Sequence, residues 1–324
     1  MDFSYVAPLQ RAWQRVERML FHPFQIRTWL VLGFAAFLAE YLSGGAHTRY
    51  GFRGHGGEAP HAIGHWARTM LETPALALVA VGVGALALVC LIALQWVSCR
   101  GKFVFLDGVV RGRAAIVEPW KRFGRLGDSL FAWTLLFWIT AVLVGLLVCL
   151  PFIASLRSLW EEHEFHWGIL ASFAGLIAIA MPLILVGAYT LLFLNHFVVP
   201  IMYRHGLNVT AAWGRFLTLL REHLWSFIGY GVIVFMLWVA VTGLVLFAGL
   251  STCCVGFVLL MLPYVGQVVL LPVLAAFRAL GPEFLSQYGP EYDAFALQPA
   301  AVTPAPAAPG PADSSGAPPP GAAS

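Results

Sequence analysis

Six apolar runs constrain this chain before any motif does. They cover approximately Arg27–Leu42, Pro74–Ser98, Leu130–Ile153, Gly168–Leu192, Leu224–Phe247 and Val255–Phe277. An α-helix rises about 1.5 Å per residue, so roughly 20 apolar residues reach across a hydrocarbon core. Inside lipid the backbone must satisfy its own polar groups, which makes each run a helix. Hydrophobic residues form 60% of the chain and charged ones 11%, excluding a soluble domain, in which about a quarter of residues are charged. The first run is short and closes on Glu40-Tyr41, while Pro182, Pro263 and Pro272 fall inside runs and can kink them.

A short amphipathic stretch precedes every second run. The three stretches carry Trp13-Gln14-Arg15, Trp120-Lys121-Arg122 and Trp213-Gly214-Arg215. In the first, Leu9, Trp13, Val16 and Leu20 fall at helical spacing, with Arg11, Gln14, Arg15 and Arg18 between them. In the third the apolar positions are Val209, Trp213, Phe216, Leu217 and Leu220; the middle copy is rougher, with Ile116, Trp120 and Phe123. A second tryptophan, Trp29, Trp133 or Trp225, stands at the mouth of each following run. Secondary echoes support the register: Phe103-Val104 and Phe197-Val198, then Gly112 and Gly206, precede the second and third copies at similar distances. The expected architecture is therefore an all-α polytopic bundle of about six spans in three parallel two-span units, each led by an interfacial helix. The units are approximately 8–112, 113–206 and 207–292.

Basic residues orient the bundle. Fifteen of the 19 Lys and Arg residues fall in the N-terminal segment, the even loops and the C-terminal side; only Arg49, Arg53, Arg68 and Arg157 fall opposite. The positive-inside rule then places both termini in the cytoplasm, as an even number of spans requires. The location expected is a bacterial cytoplasmic (inner) membrane. No cleavable signal peptide is apparent, because the first 27 residues are amphipathic and charged. Residues 293–324 are expected to be a disordered Pro/Ala-rich cytoplasmic tail, too poor in apolar bulk to offset the entropy of ordering.

Candidate chemistry is sparse. Trp sits well at headgroup depth and Arg presents a planar fork to phosphate, so Trp13, Arg15, Trp120, Arg122, Trp213 and Arg215 are candidate lipid-headgroup contacts. A basic residue near an anionic leaflet gains roughly 1 kcal/mol. Polar candidates inside or beside the spans are Glu40, Gln95, Asn195, His196 and Gln267. Cys90, Cys99 and Cys149 belong to apolar runs, and a disulfide from Cys149 to Cys253 or Cys254 is conceivable. On the outside, His47, His55, His61 and His65 lie on one loop, and Glu161, Glu162, His163, Glu164 and His166 on the next. His61 and His65 could share a metal by spacing, but no strong ligand set accompanies them. No metal, cofactor or catalytic motif is therefore expected, and a net charge of +3 is too small to argue for nucleic acid.

Leu20-Phe21-His22-Pro23-Phe24, Arg27-Thr28-Trp29-Leu30-Val31-Leu32-Gly33-Phe34, Pro119-Trp120-Lys121-Arg122 and Phe284-Leu285-Ser286-Gln287-Tyr288-Gly289-Pro290 together resemble uncharacterised bacterial multi-pass membrane proteins. These are similar to the membrane domain that accompanies some glycerophosphodiester phosphodiesterases. The resemblance spans about residues 8–292 and implies a helical membrane domain without the catalytic barrel, so it carries over no catalytic residue. The function expected is non-enzymatic: a module that binds membrane phospholipids or scaffolds an unidentified membrane or cytoplasmic protein partner. A small-solute or lipid transporter, with a polar path past Gln95, Asn195 and Gln267, and a membrane enzyme using the external His/Glu loops are the alternatives.

Overall fold

The computed structural model describes residues 4–22, 24–41, 74–162, 167–252 and 255–297. Among these residues every regular element is helical. In order they are α1 (Val6–Leu20), α2 (Ile26–Ala36, continued by a π turn at Phe37–Tyr41), α3 (Pro74–Arg111), α4 (Val117–Arg122) and α5 (Gly124–Glu162). Then come α6 (Trp167–Phe193), a π turn at Leu194–Val198 and α7 (Val199–His205). The rest are α8 (Val209–Glu222), α9 (Leu224–Ser251), α10 (Val255–Met261), α11 (Pro263–Val269) and α12 (Leu271–Leu285), then 3-10 turns at Ser286–Tyr288 and Ala294–Leu297.

Among the described residues four helical stretches are long and apolar enough to cross a membrane: Ala75–Arg111, Gly124–Ile153, Leu170–His205 and Leu224–Ser251. Each divides into an exposed apolar part and a packed part. On α3, Leu76 to Leu94 carries exposed aliphatic side chains, about 30 Å of helix, whereas Cys99, Phe103 to Leu106, Val109 and Val110 are buried. The packed parts of α3, α5, α7 and α9 join α1, α8 and α12 in one core. Its centre is aromatic. Phe197 meets Phe216 at 5.4 Å, Phe227 at 5.0 Å, Tyr230 at 4.8 Å and Phe284 at 5.9 Å. Such pairs contribute roughly 0.5–1.5 kcal/mol each beyond area burial.

The first and last apolar runs take a different form from the other four. α2 lies against the packed half of α3: Leu32 faces Gly108, Leu38 faces Gly101, and Ser98 Oγ donates to the Ala39 carbonyl at 2.9 Å. The last run is divided among α10, α11 and α12. Its first break falls at Leu262, whose extended backbone (ψ 116°) is the conformation a following proline imposes. The two short members meet, with Tyr264 Oη donating to the Leu30 carbonyl at 2.9 Å and Val268 pressed on Gly33.

Helix ends explain the turns after α3 and α7. Gly112 (φ 62°) and Gly206 (φ 66°) stop α3 and α7 in the left-handed conformation that glycine adopts without steric cost. Each then releases the chain into the next Trp-Arg helix. The apolar stripes of α1 and α8 keep the expected Val16, Leu20, Val209 and Phe216 and add Ala12, Ala212 and Leu219, with Leu9, Trp213 and Leu220 partly buried beside the core. On α1 the fully buried residues are Ala12, Val16 and Leu20, and Trp13 is 49% exposed; on α8 they include Val209, Ala212 and Phe216. Small Ala12 and Ala212 let the helix axes approach the core, which leaves each tryptophan on the flank.

Cys90, Cys99 and Cys149 carry free thiols, while Cys253 and Cys254 lie outside the described residues. The external histidines at 47, 55, 61, 65, 163 and 166, Glu164 and the tail beyond 297 also lie outside them.

Candidate functional site

The Trp-Arg positions do not share one environment. Arg15 donates to Glu283 at 3.0 Å, and its guanidinium lies 3.6 Å from the centre of the Phe295 ring. Arg11 pairs with the same carboxylate at 3.1 Å. Glu283 is only 6% exposed, so these bonds tie α1 to α12. Trp120 lies edge-on to Trp96 at 6.2 Å, and the nearby Arg100 pairs with Asp128 at 2.8 Å. Trp213 stacks on Trp133 at 5.6 Å, with its buried Nε1 lacking a hydrogen-bond partner. Arg122 and Arg215 are the exposed arginines of the set, and each lines a cleft.

The polar candidates split similarly. Glu40 lies near the buried Arg278, whose guanidinium donates to the Lys102 carbonyl at 2.7 Å and the Asn195 carbonyl at 3.4 Å. Asn195 Nδ2 donates to the Leu191 carbonyl at 2.8 Å, and His196 Nδ1 is 2.8 Å from Tyr230 Oη. Gln267 is 2% exposed with an unpartnered Oε1; Gln95 Nε2 makes a 3.9 Å contact to Cys99 Sγ. Glu40, Asn195 and His196 therefore cluster on the packed core around Arg278 and Tyr230.

The cleft at Arg122 is the most distinctive polar feature. The end of α3 supplies Arg111; the α4–α5 junction supplies Arg122, Phe123, Arg125 and Leu126; the end of α7 supplies Tyr203, Arg204 and Gly206. They enclose about 280 Å³. Two of these lining residues, Arg111 and Tyr203, are held by Asp107, whose side chain is 1% exposed. Asp107 binds Arg111 at 2.9 Å and Arg113 at 3.5 Å, and accepts the Tyr203 hydroxyl at 2.8 Å. Arg113 also donates to Glu118 at 2.9 Å and holds that exposed carboxyl below its ordinary range, chiefly through this hydrogen bond. Arg122, Arg125 and Arg204 make no ion pair among the described residues. Three uncompensated guanidinium groups in one concave wall focus a positive potential and offer forked donors to phosphate. Of these residues only Arg122 stands out in the sequence as a candidate contact. Arg111, Arg125, Arg204 and Tyr203 come together from separate elements.

Among the described residues no group of three His, Cys, Asp or Glu side chains could hold a metal ion. Residues 4–289 match DUF7544, a family of unknown function. The chain belongs to that family. No curated protein and no solved structure matches this DUF7544 member, and no link to the membrane domain of glycerophosphodiester phosphodiesterases is shown. Membership covers nearly all the packed core and assigns no activity.

Proposed function

We propose that this protein is a non-enzymatic module of the bacterial cytoplasmic membrane that holds anionic phospholipid headgroups in the arginine cleft. The supporting observation is the set of Arg122, Arg125 and Arg204, unpaired in one concavity at the end of apolar helices. Phosphate oxygens would complete their hydrogen bonding, and Tyr203 and Arg111, fixed by Asp107, would form the back wall. Headgroups at this position anchor the packed core to the inner leaflet.

The arrangement proposed with it keeps three two-segment units, 8–112, 113–206 and 207–292, both termini in the cytoplasm, and α2 and α10–α11 as the short members of their pairs. Gly112 and Gly206, closing equivalent helices before equivalent Trp-Arg segments, support the repeat. A reporter fused after Ser324 should be active only on the cytoplasmic side; activity on the outer side ends this orientation.

The lipid proposal is tested by native mass spectrometry of protein from nanodiscs containing phosphatidylglycerol. The triple variant Arg122→Gln, Arg125→Gln, Arg204→Gln should retain at least tenfold less phosphatidylglycerol than the native chain, since each charge-assisted bond is worth about 1.5–3 kcal/mol. Unchanged retention by a monodisperse variant removes the proposed function.

A further inference from the structure

A second cleft lies at the same end of α7 and differs in charge. His205, Arg215, Thr218, Glu291 and Tyr292 enclose about 270 Å³. His205 is the last residue of α7, and Gly206 turns the chain away from it toward α8, which presents Arg215 and Thr218 one helical turn apart. The opposite wall comes from the segment after α12. Gly289, at φ 145°, starts a turn in which its carbonyl accepts the Tyr292 amide at 3.1 Å, and Asp293 Oδ1 caps the next turn at the Phe295 amide, 2.8 Å away. Phe295 is in turn seated under Arg15. The turn therefore holds Glu291 and Tyr292 in place over α8.

The walls are chemically unlike. Arg215 forms no ion pair among the described residues and makes a donor side for an anion, while the His205 imidazole beside it is hydrogen-bonded to the Glu291 backbone. Glu291 likewise forms no ion pair there and makes the acceptor side. The Thr218 hydroxyl already gives its proton to the Gly214 carbonyl at 3.1 Å, so its oxygen is left to accept. The Tyr292 ring adds a face suited to a cation. Tyr292 feels both charges: burial and then the Glu291 carboxylate raise its phenol, and Arg215 acts the other way.

We propose that this cleft binds a zwitterion carrying a phosphodiester and a primary ammonium, the chemistry of a phosphoethanolamine headgroup. Arg215 takes the phosphate; Glu291, the Thr218 oxygen and the Tyr292 face take the ammonium; and His205, bonded to the Glu291 backbone, holds the two walls together. A wholly anionic headgroup meets Glu291 as a like charge and belongs in the arginine cleft instead. The same zwitterion could come from a bilayer lipid or from soluble glycerophosphoethanolamine. The two clefts share no lining residue, so their failures read out separately.

The test uses the full chain in two sets of nanodiscs, one containing phosphatidylethanolamine with phosphatidylglycerol and one containing phosphatidylglycerol with soluble glycerophosphoethanolamine. Bound species are counted by native mass spectrometry. Retention of the ethanolamine species in the first set assigns a lipid ligand, and retention in the second set alone assigns a soluble one; retention in neither overturns the proposal. Glu291→Gln should lower the ethanolamine species about tenfold while leaving bound phosphatidylglycerol unchanged, which also reports an intact fold. Glu291→Lys, which makes the cleft wholly basic, should reverse its preference toward phosphatidylglycerol. If Glu291→Gln leaves the ethanolamine species unchanged, the assignment is wrong.

Discussion

Gly281→Ala should destabilise the packed core by about 3 kcal/mol or more, seen as loss of a monodisperse species in detergent and a large drop in the tryptophan-fluorescence unfolding midpoint. A Cβ at Gly281 would collide with the backbone of His196, its carbonyl oxygen closest of all. A flexible neighbour could move aside, but the π turn at Leu194–Val198 is pinned on both sides. Within it Phe197 is wedged among Phe216, Phe227, Tyr230 and Phe284. Nor can α12 retreat. Three residues earlier, Arg278 reaches the Asn195 and Lys102 carbonyls, bonds that exist only at the present helix separation. Moving α12 outward would leave a buried guanidinium without acceptors, an expensive outcome in its own right. The matched control is Gly243→Ala or Gly145→Ala, where an added methyl meets nothing within 4 Å. Those variants should unfold at the native temperature or slightly above it. A Gly281→Ala variant as stable as these controls would mean that α12 and the π turn are not in contact.

Periodicity carries information here only where side chains face a uniform medium. The four long apolar helices are legible because their outer parts carry mostly exposed aliphatic side chains, so hydrophobicity largely decides their residues. α2 and the last run also read as spans in the sequence, yet α2 packs along Ser98–Gly108 and the last run is interrupted before Pro263. A hydropathy window cannot separate an aliphatic side chain in lipid from one in a protein core. The same blindness explains the alanines added to the buried stripes. Ala12 and Ala212 carry little hydrophobic weight, but their small size allows close approach, so they line the buried face and Trp13 does not. Arg15 looks like a headgroup contact because nothing near it in sequence signals Glu283, its partner 268 residues away. The arginine cleft is half visible. Arg111, Arg113, Lys121, Arg122 and Arg125 crowd one loop with few acids, an excess that asks for an external anion. That Arg204 completes the wall is a fact of packing between α7 and the α4–α5 junction, which spacing does not encode.

Asp107→Asn is expected to move stability and lipid retention in opposite directions. The Asp107 carboxylate is almost wholly buried and serves Arg111, Arg113 and the Tyr203 hydroxyl at once. An amide keeps the shape but removes the charge, leaving Arg111 without a counter-ion in the cleft wall while Arg113 keeps Glu118. Removing one member of a buried ion pair costs about 3–5 kcal/mol; partial exposure of Arg111 and Arg113 lowers the figure here to about 2–4 kcal/mol. Asp128→Asn supplies the contrast. Its pair with Arg100 is as short, at 2.8 Å, but the Asp128 side chain is 48% exposed, and the loss should be at most about 1 kcal/mol. At the cleft the sign inverts. Released from Asp107, Arg111 adds its full charge to those of Arg122, Arg125 and Arg204, so bound phosphatidylglycerol should rise severalfold in the same nanodisc measurement that registers the triple-Gln loss. A purely structural cleft would lose stability on Asp107→Asn with no gain of lipid. Greater retention in a less stable protein is the pattern that separates a site for anions from a merely crowded corner of the fold.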